Sequence, residues 1–253
     1  MIDAHDVLYA RRSTTAHIEE RRIGFDCRML LSWVQWEFLI RGASVTLGVA
    51  LLAFPLALFV AFVAGLSLLS QHKIVRILAI AYIEIFRGTS ALVQIFFVFF
   101  VLPLFGLELP PIFAGVLALG MNFGAYGSHI VRSTIQNVDR GQWEVSTALN
   151  MPRTLAMRRI IMPQALIVMV PLFGNEFIRI LKATALLSVV TVPELTFSGK
   201  ILVGHTGLPG AVYGAVLLIY FAASFPLAFG MKWLEKKINA QFGIIAFARG
   251  TAE

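Results

Sequence analysis

Five long apolar blocks, joined by short polar connections, constrain this chain more than anything else in it. They fall at about 41–69, 74–103, 110–132, 163–187 and 208–231. A helix that crosses a bilayer needs about 20 mostly apolar residues, and each block supplies them. The apolar residues come in runs, not at the amphipathic spacing of a surface helix. Only 14% of the 253 residues are charged and 58% are hydrophobic, where a soluble domain carries about 25% charge. The mean hydropathy of +0.81 agrees. A closed barrel also satisfies backbone groups in lipid, but its short alternating strands are absent from the sequence. The expected fold class is an all-α integral membrane protein with about five transmembrane helices.

The formal net charge of +7 follows from basic residues in loops and tails, as membrane orientation demands, and does not call for nucleic acid. The loop after the first block holds Lys73 and Arg76, and the loop after the third holds Arg140, Arg153, Arg158 and Arg159. The loop after the second holds no Lys or Arg, and the loop after the fourth holds only Lys200. Lys232, Lys236 and Lys237 follow the fifth. This alternation predicts a cytoplasmic C-terminus and, with five spans, an external N-terminus; Arg28 and Arg41 run against it. Residues 1–27 are polar and lack the apolar core of a cleavable signal. Met29–Ile40 is too short to span, and its Trp33 and Trp36 suit an interfacial helix. The expected division is a polar arm with that helix over 1–37, a membrane domain over 38–237, and a cytoplasmic tail over 238–253. A single cysteine, Cys27, excludes an internal disulfide and a multi-cysteine metal site. No metal site is expected.

The polar stretch between the third and fourth blocks, about 137–165, has its own pattern. Helical periodicity runs from Trp143 to Leu149 and again from Leu155 to Ile161, broken by Asn150-Met151-Pro152. Asn tolerates the left-handed conformation that ends a helix, and Pro suits the first turn of a new one. The stretch therefore reads as two short helices joined by a tight turn, a rigid knob able to transmit a push.

The same stretch resembles a family motif. Glu144, Asn150, Ile160, Met162 and Pro163 fall at the spacing E-A-A, three residues, G, nine residues, I-x-L-P. That is the cytoplasmic loop of permease subunits of bacterial ABC importers. Val145 and Ser146 stand where the family has Ala, and Asn150 where it has Gly. Two further stretches resemble the polar amino-acid (histidine/glutamine-type) branch: YIEIFRGTS at Tyr82–Ser90, with Ser90 where Pro is usual, and NEFIRILKATALLS at Asn175–Ser188. The similarity covers roughly 40–240. Within the branch, ALNMPRTLAMRR looks like permeases assigned to ectoine and hydroxyectoine uptake.

The resemblance implies a type I ABC importer permease fold in a bacterial inner membrane. It implies two copies of an ATPase, a second permease (the same chain or a sister subunit), an extracytoplasmic solute-binding protein and the lipid bilayer as partners. ATP and Mg would be bound by the ATPase, with no cofactor in this chain; the sequence has no G-x-x-x-x-G-K-[ST] phosphate loop of its own. Gly141, Glu144, Ala148, Leu149, Asn150, Met151, Arg153, Arg158, Ile160 and Pro163 become candidates for the ATPase-coupling loop. Glu144 and Asn150 are expected to cap and shape its first helix. Ala148, Leu149 and Met151 would fill a groove on the ATPase, with Arg153, Arg158 and Arg159 at the rim or facing anionic lipid.

Charges inside the blocks are the other signal. A charged group at the bilayer centre costs roughly 2.5–3.5 kcal/mol on insertion scales, so it should face the bundle interior or a wet path. The candidates for a substrate path are Glu84, Arg87, Gln94, Asn122, Glu176, Arg179 and Lys182. Glu84 lies roughly 15 Å into the second block. Glu84 and Arg87 are three apart, as are Glu176 and Arg179, so each pair shares a helix face. Two readings stand: each pair neutralises itself and pins packing, or an Arg fork takes a solute carboxylate while a Glu takes its cationic end. Depth favours the functional reading for Glu84 and Arg87. Tyr126 and His129 are weaker candidates, His129 reading as a hydrogen-bonded packing residue. Gly120, Gly124 and Gly127 read as sites of close helix approach. Phe96, Phe97, Phe99 and Phe100 read as lipid-facing or core surface. Pro193 and Glu194 read either as lying near the docked binding protein or as a re-entrant turn. An ion-coupled secondary transporter is the alternative function, but it would need an inverted repeat and its own ion site. A membrane enzyme would need a convergent catalytic set, and none is visible.

Overall fold

The computed structural model describes residues 33–242. The polar arm over 1–27 and most of the tail expected over 238–253 lie outside the described residues. Among the described residues all regular structure is helical. The first helix, α1 (Trp33–Leu68), is 36 residues long. That is about 54 Å at 1.5 Å per residue, well beyond the ~30 Å hydrocarbon core. The separate interfacial helix expected at Met29–Ile40 is therefore corrected. From Trp33 onward those residues are the first turns of α1, because nothing between Ile40 and Arg41 breaks helical geometry.

A stripe of small residues on α1, including Ala50, Ala53, Ala57, Ala61 and Ala64, is buried. It packs against α4 (Pro111–Gln136). The glycines of α4 make this contact close. A Cβ at Gly120 would meet Leu56 at 2.6 Å, and one at Gly124 would meet Val60 at 2.7 Å. In lipid, where hydrophobicity gives helices no reason to associate, such close packing is what holds them.

The second block is not one straight span, and this is a second correction. α2 (Lys73–Gly88) and α3 (Ala91–Phe96) meet at a bend of 102°. Thr89 and Ser90 are extended between them. Beyond α3 the chain stays helical through a π-turn, Phe97–Val101, and a 3-10 turn, Leu102–Phe105. The π-turn has a local cause. Pro103 has no N–H, and its ring would clash with the carbonyl four residues back; the Leu102 N–H instead reaches the Phe97 carbonyl five residues back. The same device recurs before Pro163, where the Met162 N–H reaches Met157 O.

After α4 come α5 (Arg140–Ala148) and α6 (Arg153–Ala156). A π-turn, Met157–Ile161, leads into α7 (Met162–Ala183), which tightens to a 3-10 turn, Thr184–Val190. The connection after the fourth block is itself helical, α8 (Leu195–Thr206), and α9 (Pro209–Phe242) closes the bundle. Three helical stretches are long and apolar enough to cross a membrane, or four if the bent pair is one span; five is not reached by that measure. α4 falls short on apolarity, not length. It is the most enclosed helix and carries Asn122, Ser128 and Thr134 on buried positions. The outward face of α9 is the opposite case: Leu217, Phe221, Phe225, Phe229 and Trp233 are all exposed, as suits a lipid-facing surface.

Candidate functional site: a polar cluster within the bundle and a helical knob at its end

The break at Gly88 leaves carbonyls of the last turn of α2 without helical partners, and in lipid they must be satisfied by protein. Gln94 and Asn122 do this. The Gln94 amide donates to Phe86 O at 2.8 Å and to Thr89 Oγ1 at 2.6 Å. The Asn122 amide donates to the same Phe86 O at 3.0 Å and to Gln94 Oε1 at 3.1 Å. Thr89 Oγ1 donates to Ile85 O at 2.8 Å. Both residues were candidates for the substrate path; the geometry commits their polar atoms to clamping the broken helix.

Beside this clamp, arginines from two helices converge on one aromatic ring of a third. The guanidinium of Arg87 from α2 lies 5.4 Å from the ring centre of Tyr126 on α4. The guanidinium of Arg179 from α7 lies 5.4 Å from the same ring, and 5.8 Å from that of Phe123. Each contact has cation–π geometry, within about 6 Å of a ring centroid. Arg179 also donates to Glu176 Oε2 at 2.8 Å. Glu176 is 3% exposed, and its other oxygen, Oε1, has no hydrogen-bond partner.

The expected Glu84–Arg87 pair does not form. Arg87 Nη1 instead meets His129 Nε2 at 2.8 Å, and Glu84 is exposed without an ion pair to Arg87. Three-residue spacing made the intrahelical pair possible, but α4 presents an acceptor where Arg87 points, and the longer reach wins. His129 was read as a packing residue; it is the partner of the arginine. Lys182, in the last turn of α7, is exposed.

The knob is built from its own sequence. Asp139, not Glu144, caps α5: its Oδ1 accepts from the Gly141 N–H at 2.7 Å. Glu144 sits mid-helix and exposed, so its expected capping role is corrected. An Asp before the first helical residue is a preferred cap, a signal the sequence carried. Asn150 does shape the other end. It adopts φ 54°, its N–H reaches Thr147 O at 2.9 Å, and the Met151 N–H reaches Ser146 O at 3.0 Å. This pair of bonds is a Schellman closure with Asn at the left-handed position, where Gly is usual. Pro152 then precedes α6, one place before its first turn.

Trp143, Met157, Ile160 and Met162 pack the knob onto a buried cluster of Val131, Ile135, Ile161, Ala165 and Met169. The other face is open. Leu149 is 67% and Val145 56% exposed, and Ala148, Met151, Arg153 and Arg158 lie beside them, Met151 half-buried and the others exposed. Trp143, Glu144, Thr147 and Ala148 line a shallow hollow. Gly141 and Pro163 lie at the start and end of the knob, Pro163 exposed and Gly141 half-buried.

Glu194 has a structural role that neither sequence reading named. It is 0% exposed and caps α8, accepting from the Thr196 and Phe197 N–H groups at 2.8 and 2.7 Å. The Tyr220 hydroxyl donates to it at 3.0 Å, and Thr46 Oγ1 lies at 3.5 Å. Burial pushes its carboxyl above the usual carboxylate range, against the downward pull of the two backbone N–H groups.

Charged groups of separate helices thus meet at one ring, and a stiff knob with exposed apolar residues stands at one end of the helices. The family profile described as binding-protein-dependent transport system inner membrane component matches residues 32–240. The chain belongs to this family. It is 43% identical over 205 residues to the "Probable amino-acid ABC transporter permease protein y4tF" of Sinorhizobium fredii, covering 79% of this chain and 86% of the relative. It is 32% identical over 206 residues to the L-cystine transport system permease protein TcyB of Bacillus subtilis, covering 81% and 88%. A solved structure of an amino acid ABC transporter with histidines superposes with a TM-score of 0.77 at 32% identity, covering 82% of this chain and 99% of that one. The chain is thus a multi-pass inner-membrane permease subunit of an ABC importer with the type I permease fold. ATP hydrolysis lies with a separate ATPase subunit.

Proposed function

We propose that this permease carries a small zwitterionic solute, an amino acid or a compatible solute such as ectoine, and that the Arg87–Tyr126–Arg179–Glu176 cluster lines its path. The convergence of two guanidinium groups on one ring, beside a buried carboxylate oxygen without a partner, carries this reading. Guanidinium forks take a carboxylate, and the open oxygen of Glu176 takes an N–H donor. The names of the similar proteins, an amino-acid permease and a cystine permease, support the same class.

The knob over 137–165 is the surface that an ATPase would move. Leu149, Val145, Ala148 and Met151 would enter a groove on that partner, with Arg153, Arg158 and Arg159 at the rim, where charges act mainly on association rate and salt dependence. Two ATPase subunits, a second permease and an external binding protein complete the assembly. The alternation of loop charges supports a cytoplasmic knob and C-terminus and an external N-terminus. ATP binding biases the bundle between outward-open and inward-open states, since a ligand shifts a two-state equilibrium by its differential affinity.

The test is uptake into proteoliposomes holding the permease, its ATPase and its binding protein. Labelled L-glutamine, L-cystine, ectoine and hydroxyectoine are the probes. ATP-dependent uptake of one or more supports the reading. Uptake driven by an ion gradient without the ATPase, or uptake of none of the four, sinks it.

A further inference from the structure

The two arginines on the Tyr126 ring are held by chemically different partners. Arg179 meets the carboxylate of Glu176 at 2.8 Å, so its charge is largely answered from within the protein. Arg87 meets the imidazole of His129 at 2.8 Å. A guanidinium has five donors and no acceptor. The imidazole nitrogen facing it must therefore carry a lone pair, which fixes His129 as the neutral ring with its proton on Nδ1. A neutral acceptor aims the guanidinium without cancelling its charge.

We propose that His129 is a positioning residue that holds Arg87 as an uncancelled cation, which makes Arg87, and not Arg179, the anchor for the solute carboxylate. The proposal rests on the zwitterion reading above. Tyr126 fixes the geometry from the other side. Both guanidinium carbons lie 5.4 Å from its ring centre, so the two cannot be further apart than twice that distance. The second guanidinium on the ring, Arg179, is already paired with Glu176 Oε2, and Glu176 Oε1 beside it is the buried acceptor without a partner.

The charged groups around the imidazole are Arg87 and Glu84 from α2 and Arg132 from α4 itself. A protonated ring would present a donor to a donor and release Arg87.

The experiment uses the complete complex with its ATPase and binding protein and compares wild type with His129→Gln and His129→Glu. Gln keeps a neutral acceptor, whereas Glu supplies a charge that cancels Arg87. The readouts are KM and maximal rate for the four probes named above. A charge-assisted hydrogen bond contributes about 1.5–3 kcal/mol, so His129→Glu should raise KM at least roughly tenfold with the maximal rate little changed. His129→Gln should stay near wild type. KM of the wild type should also rise under acid conditions that protonate an imidazole, and that rise should vanish in His129→Gln. Three results overturn the proposal: an unchanged KM in His129→Glu, equal losses in both variants, or a wild-type KM that ignores pH. If wild type takes up none of the probes, the zwitterion reading itself falls, and the proposal with it.

Discussion

The knob and the polar cluster are built in opposite ways. The knob comes from one stretch of chain, with each turn closed by its neighbours: Asp139 on Gly141, Asn150 on Thr147, and Met151 on Ser146. The polar cluster draws single residues from helices far apart in sequence: Arg87 from α2, Tyr126 and His129 from α4, and Glu176 and Arg179 from α7. The knob can therefore be altered on its outer face without touching what folds it. In the cluster, the residues proposed to serve the solute also hold the helices together. If the proposed roles hold, coupling rests on local structure and solute binding on tertiary structure.

Leu149→Arg tests the knob side with the largest expected effect. Leu149 is 67% exposed, so stability should change by no more than about 0.5 kcal/mol. ATP-dependent uptake should fall by more than about tenfold if this side chain enters an apolar groove on the ATPase. Thermal unfolding of the purified permease, followed beside uptake, separates the two. An unfolding shift as large as the functional loss would break the comparison.

Arg179→Ala tests the cluster side, where function and stability should fall together. Removing one partner of a buried ion pair costs about 3–5 kcal/mol, because the remaining charge is stranded. Arg179 is half-exposed, so about 1–3 kcal/mol is expected after solvent screening. Arg179→Ala/Glu176→Gln should recover much of that stability. Failure of the double variant to recover any would mean that the cation–π contact to Tyr126, and not the ion pair, fixes Arg179.

Asn150 gives a smaller effect. A β-branched residue at φ 54° is strained, by roughly 1–2 kcal/mol, while Gly is at home there. Asn150→Val should loosen the knob and Asn150→Gly should leave it intact, as read by hydrogen exchange of the Asn150 and Met151 amides. Glu194 gives the smallest. Its carboxyl is raised in the folded protein, so the folded state holds a proton that the unfolded chain has released. Its contribution to stability is greatest at low pH and fades as pH rises above the ordinary Glu range. Glu194→Gln should flatten that part of the stability–pH curve, and an unaltered slope would exclude Glu194 as its source.

The knob was legible in the sequence because its determinants are neighbours. The helix break at Asn150-Met151-Pro152 and the motif spacing both lie within one short stretch. The Asp139 cap was equally local and was passed over in favour of Glu144. The first helix was misdivided because Trp33 and Trp36 suggested an interface, although no helix breaker separates them from the span. The bend at Gly88 was hidden because Thr89 and Ser90 interrupt an otherwise apolar run too briefly for hydropathy to notice. α8 was missed because its cap is Glu194, a residue type seldom used there, held by Tyr220 and Thr46 from other helices.

By itself the sequence determined that this chain lives in a membrane as helices, and that a stiff helical knob separates two of its apolar blocks. Both follow from local physics: apolar run length against bilayer thickness, and caps and turn residues within a few positions of each other. Only the tertiary structure decided which partner each intramembrane charge takes. Helical spacing allowed Glu84 to pair with Arg87 and Glu176 with Arg179, and only the second pair formed. A long side chain takes the partner that a neighbouring helix brings within reach, and for Arg87 that partner is His129 on α4, 42 residues away in the chain.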